Sequence, residues 1–297
     1  MKRAILVTGA HRSGSTWTGK VISQSKNVRY VQEPFNLSIK KYNSPIKSWF
    51  EHLNISKDTN YQDDIKVYLE SFLKPSIFNK YKHFGTLKGP KLFYSYFLDF
   101  YRKTFKRTLI KDPIAIMSAE WIYKTFPTDV VILIRHPAAF IASLKVKGWE
   151  FNFNAFLDQP DLMHTYLESY RDEMTSFTNK KQPILLQGIL LWNILYSVVL
   201  CYQETYKNTW YFVKHEDLSE KPIEKFSELF DFLNLPFDDN TKNYIRETTT
   251  STNSSDLKRD SKSNILKWKE RLSTEEIEQI KLGTYEVWKH FYEEKDW

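Results

Sequence analysis

Short apolar runs rich in β-branched residues recur along the chain at Ala4–Thr8, Val28–Val31, Thr108–Lys111, Val130–Ile134 and Trp210–Val213. Each is bounded by turn residues or by helical periodicity, which is how a strand buried on both faces reads. Between them the apolar spacing predicts helices at about 15–25, 114–126 and 137–145, a long helical region at about 161–206, and helices from Pro222 onward with one gap. Strand–helix alternation of this kind predicts a doubly wound α/β sheet with its ligand at the C-terminal strand ends.

Two stretches break the rhythm. Residues 36–107 are long, rich in Lys and aromatic residues and weakly periodic, and are read as an insertion that partly covers a cleft. Residues 248–264 are rich in Ser, Thr and Asn with Lys258, Arg259 and Lys262, and are read as a mobile basic loop. Length suits one domain over 1–297 with a sizeable core. The net charge of +7 is spread without dense Lys/Arg clusters, which points to an anionic small ligand and away from nucleic acid. Cys201 is the single cysteine, read as a buried core thiol in a reducing, cytoplasmic setting. The longest apolar stretch, residues 184–201, is interrupted by Gln187, Gly188, Trp192, Asn193 and Ser197, so it suits a core helix better than a membrane span.

The most informative residues join the first strand to the first helix: Thr8-Gly9-Ala10-His11-Arg12-Ser13-Gly14-Ser15-Thr16-Trp17. A strand, a loop of small residues and a helix N-terminus make an anion cradle, because free N–H groups and the helix dipole converge there. Arg12 adds a permanently charged fork, Ser13, Ser15 and Thr16 add hydroxyls, and Gly14 permits close approach. The Gly-Lys-[Ser/Thr] ending of a nucleotide-hydrolysing loop is missing, and the strand Val130–Ile134 ends in Arg135-His136-Pro137 without a metal-holding Asp. A metal-dependent nucleotidase is therefore disfavoured and no metal is expected.

The string Arg12 to Trp17 resembles the 5′-phosphosulfate loop of the sulfotransferase superfamily that uses 3′-phosphoadenosine 5′-phosphosulfate (PAPS). Arg135, with Ser143 eight residues on, is similar to that superfamily's 3′-phosphate motif. The resemblance implies a P-loop-NTPase-like three-layer α/β sandwich with about five parallel strands flanked by helices. It also implies PAPS as co-substrate, adenosine 3′,5′-bisphosphate as product, and a hydroxyl acceptor such as a glycan, glycolipid or small metabolite. Glu33, in Gln32-Glu33-Pro34-Phe35, resembles the Glu-Pro-Phe segment of bacterial members and the base of protein-tyrosine sulfotransferases. Lys111, in Lys111-Asp112-Pro113, matches a lysine that helps neutralise the leaving group there. His215, before Glu216-Asp217, stands where cytosolic members have a Tyr that contacts adenine. Arg259 and Lys262 resemble a basic loop that closes over the 3′-phosphate, ahead of a helix capped at Ser273. A small-molecule kinase with a degenerate loop and a nucleotide-sensing module are the alternatives; the sequence leaves acceptor and oligomeric state open.

Overall fold

The computed structural model describes residues 2–57, 59–76, 89–249 and 265–297. Strands β1 (Ala4–Gly9), β2 (Val28–Gln32), β3 (Arg107–Lys111), β4 (Thr128–Ile134) and β5 (Tyr211–Lys214) form one parallel sheet in the order β2-β3-β1-β4-β5. Leu6 pairs with Ile110 on one side and Val130 on the other, and Leu133 with Val213.

Alternation decides the two layers packed on this sheet. Along β1 and β4, Ala4, Leu6, Val130 and Ile132 face one core, while Ile5, Val7, Val131 and Leu133 face the other. Both faces are covered, so these strands carry almost no polar side chain. The helices that position the tips are α1 (Ser15–Ile22), α2 (Asn60–Leu73), α3 (Gly89–Phe105), α4 (Ala119–Thr125), α5 (Pro137–Lys147) and α6 (Ile184–Tyr206). Helix α6 is long and apolar enough to cross a membrane, yet the structure packs it against α5 with Trp192, Leu195 and Tyr196 fully buried.

Three expectations are corrected. The segment read as weakly periodic carries two helices among its described residues, α2 and α3, because Ile65, Tyr68, Leu69 and Phe72 give α2 an inward face. The helical region from 161 to 206 is broken: a π turn at Met163–Leu167 and a separate helix at Arg171–Asn179 precede α6, and Pro183, which has no N–H to donate, stands at the restart. Cys201 is exposed, since it falls on the outer face of α6.

Candidate active site

The five C-terminal strand tips lie side by side, and each carries a residue singled out by the sequence or its neighbour. In sheet order they are Glu33 after β2, Lys111 closing β3, the 10–14 loop after β1, Arg135 after β4 and His215 after β5.

The loop after β1 is strained and open. Arg12 and Gly14 both have positive φ, 66° and 87°, the first uncommon for a residue with a Cβ. Gly14 caps α1 without a side-chain bond, and the first turn has no acidic residue, so the helix N-terminus keeps its donors for a ligand. Ser13 is fully buried and its hydroxyl has no hydrogen-bond partner among the described residues, whereas Thr16 is exposed. Ser15 is buried at the first helical position. Gly14 is also required by a close approach: a Cβ there would lie 2.2 Å from Nδ1 of His215. Trp17 donates from Nε1 to Thr248 Oγ1 at 3.0 Å and stands edge-on to His215 and Phe226.

Arg12 is drawn towards α5. Its Nε donates to Ser143 Oγ at 2.9 Å, and its guanidinium lies 5.7 Å from the Trp149 ring centre. The sequence reading grouped Ser143 with Arg135; the structure puts it in contact with Arg12. His11, beside Arg12, packs against Phe50, Phe140 and Trp149. Burial, and then the charge of Arg12, push its imidazole down to about 4.

Glu33 and Lys111 meet across the β2–β3 tips. Lys111 Nζ is ion-paired with Glu33 Oε1, and Glu33 Oε2 accepts from Asn36 Nδ2 at 2.6 Å. The Glu33 backbone has φ 49°, while its N–H still donates to Lys111 O at 2.8 Å, continuing the ladder one residue past the strand. Asp112 anchors this turn, with Oδ2 accepting from Phe35 N at 2.6 Å and Oδ1 from Ile114 N at 3.0 Å. Burial pushes the Asp112 carboxyl up to about 7, against the opposing pull of the bond from Phe35.

Arg135 is held at both backbone atoms: its N–H donates to Tyr196 Oη at 2.8 Å and its carbonyl accepts from Trp192 Nε1 at 2.9 Å. Its side chain is 3.5 Å from Glu216 Oε1, which also accepts from His136 N, and Glu216 Oε2 accepts from Tyr292 Oη at 3.0 Å. Behind it, His136 stacks on Trp268 and abuts Tyr292 and Trp297, with neither ring nitrogen bonded among the described residues. His215 is likewise pushed well below the usual histidine range by burial, and its Nε2 lies 3.2 Å from Ser219 Oγ.

Arg259 and Lys262 lie outside the described residues. Sequence reasoning did not assign Asn36, Asp112, Glu216 and Tyr196 to the site; Asn36, Asp112 and Glu216 adjoin motif residues and so left a local signal, whereas Tyr196 left none. The assembled site offers oxyanion-binding amides, two separated arginines, and a carboxylate–ammonium pair between them and the β2 edge. That is a donor set suited to an elongated anion carrying charge at both ends, and the orphan Ser13 hydroxyl fits one of those ends.

A family model described as "Sulfotransferase family" matches residues 4–239. Among solved structures, the chain is similar to the sulfotransferase domain from the curacin biosynthetic pathway, at 15% identity over 95% of this chain and 97% of that one, TM-score 0.51. It is also similar to the sulfotransferase domain of the Synechococcus PCC 7002 olefin synthase, at 16% identity, 98% and 94% coverage and TM-score 0.48. A third is mouse sulfotransferase SULT7A1 complexed with PAP, at 11% identity, 97% and 85% coverage and TM-score 0.48. At these identities the first likeness speaks for the fold. Comparison with curated proteins finds no match.

Proposed function

The chain belongs to the sulfotransferase family, and we propose that it moves a sulfuryl group from PAPS to a hydroxyl of a glycan, glycolipid or small metabolite. The observation that carries this reading is the convergence of the Arg12 loop, the Glu33–Lys111 pair and Arg135 on adjacent strand tips.

In this reading Arg12, Ser13, Gly14, Ser15 and Thr16 hold the 5′-phosphosulfate through amides, hydroxyls and the guanidinium, and Trp17 presents its ring to the nucleotide. Arg135 and Ser143 take the 3′-phosphate, with Ser143 released from Arg12 when the donor binds. Arg259 and Lys262 are proposed to complete that end. Residues 36–107 would form the acceptor side of a single domain, a role supported by Phe50 lying against His11 at the loop.

Sulfuryl transfer, like phosphoryl transfer, asks the protein mainly to position groups and to meet charge growing on the leaving oxygen. The acceptor O–H bond breaks towards Glu33, the acceptor oxygen bonds to sulfur, and the electron pair of the broken S–O bond stays on phosphate. Proton arrival neutralises Glu33, which dissolves its pair with Lys111. The ammonium is then left to meet the new charge on phosphate, beside Arg12. Proton capture and charge stabilisation are thereby one motion. The lone cysteine supports a cytoplasmic setting.

Titration calorimetry with adenosine 3′,5′-bisphosphate and with ATP–Mg tests the donor. Metal-free binding of the bisphosphate in preference to ATP–Mg is the expected result; the opposite preference overturns the reading in favour of a kinase. Bisphosphate binding without transfer of labelled sulfate to any of a panel of glycans, glycolipids and hydroxylated metabolites would point to a sensing module.

A further inference from the structure

Helix α3 is amphipathic in the wrong sense for a surface helix. The residues it buries are Asp99 and Lys103, which form an ion network with Arg29 of β2: Arg29 Nη2 is 2.8 Å from Asp99 Oδ1 and Lys103 Nζ is 2.7 Å from Asp99 Oδ2. Because residues three and four apart share a helix face, an inward i,i+4 charged pair turns the aromatic positions outward. Phe93, Phe97, Tyr101 and Phe105, spaced four apart, are 68%, 60%, 48% and 56% exposed, with Tyr94 beside them at 65%. A surface helix ordinarily does the reverse, and a contiguous exposed apolar stripe marks a contact surface.

The exposed charges of α3 are of one sign. The single acid of α3, Asp99, is buried, while Lys91 and Arg102 are exposed. A cavity of about 510 Å³ opens between α3, the edge strand β2 and the 41–42 segment, lined by Lys20, Lys41, Arg102, Lys106 and Arg29, with Asp99 its one carboxylate among the described residues. Tyr30, also in its wall, has a buried hydroxyl without a hydrogen-bond partner among the described residues.

We propose that α3 and this cavity form a docking surface for an anionic lipid membrane, the aromatic rings entering the headgroup boundary and the cavity receiving a headgroup phosphate. Rings flanked by Lys and Arg are what an interfacial helix presents to such a surface. A second copy is a poorer occupant, because two such faces would bring Lys91, Arg102 and Lys106 against their own equivalents. The cavity also includes Gln32, the residue before Glu33, so docking would set the candidate base close to the lipid surface. The surface requires neither donor nor acceptor, and stands whether or not the sulfuryl-transfer reading does.

The test is flotation of the full chain with vesicles of phosphatidylcholine alone and of phosphatidylcholine mixed with phosphatidylglycerol. Binding is expected to the mixed vesicles only, weakening as salt is raised. The double variant Phe97→Ser/Tyr101→Ser should lose at least about tenfold in partition, and Arg102→Glu should lose about fivefold or more, with thermal unfolding unchanged in both. Absence of binding to the mixed vesicles, or undiminished binding by the double variant, overturns the proposal. So does a dimer in sedimentation velocity that the double variant dissolves, since a second copy would then be the occupant.

Discussion

On each side of the central loop a carboxylate and a cation bridge neighbouring strand tips, but the two pairs are built differently. Glu33 stands just past its strand with positive φ, facing Lys111 at the end of β3, and the second oxygen of Glu33 is held by one side chain, Asn36. Arg135 and Glu216 are tied into the core: Tyr196 and Trp192 fix the Arg135 backbone, and Glu216 accepts from Tyr292 and His136 besides facing the guanidinium. A pair with few restraints can exchange a proton and part; a pair with many holds a charge in place. The first suits chemistry, the second binding.

The sharpest way to break this contrast is Glu33→Gln, which keeps the shape and removes the proton acceptor. Turnover should fall about 10²–10⁴-fold, while calorimetric affinity for adenosine 3′,5′-bisphosphate stays within a few-fold; unaltered turnover would strip Glu33 of its role. On the other flank, Arg135→Ala should weaken bisphosphate binding by about 1.5–3 kcal/mol. Bisphosphate binding left intact by that change would remove the 3′-phosphate assignment.

A smaller effect sharpens the structural side. His136 is kept neutral behind Arg135, its imidazole pushed from 6.5 down to about 3 by burial and then by the Arg135 charge. The unfolded chain therefore takes up this proton first: the stability contribution is complete above about 6.5 and is lost as pH falls towards about 3. Replacing His136 by Phe, which suits the rings of Trp268, Tyr292 and Trp297, should flatten that acid limb, worth about 2 kcal/mol near pH 5. Thermal unfolding across pH reads it out, and an acid limb identical to the unsubstituted chain would show that other groups set it.

Much of the architecture was legible because its signals are local. All five strands appear within a residue or two of where β-branched runs stand, Pro137 opens α5, and Ser273 closes a capping box with Glu276. The helices of 36–107 were missed since their aromatic and Lys-rich composition blurs the period, and in α3 the buried face is the charged one. Cys201 was misjudged because an apolar run does not say which side of a helix meets the core.

The sequence by itself determined the alternation of strands and helices, the small-residue turn into α1 and the residue types at the strand ends, all set by chemistry within a few positions. The tertiary structure alone decided who meets whom. Glu33 joins Lys111 and Arg12 joins Ser143 because the sheet order β2-β3-β1-β4-β5 makes neighbours of strands that the chain separates. Local periodicity carries no record of that order, which follows from how crossover helices cover both faces of a parallel sheet.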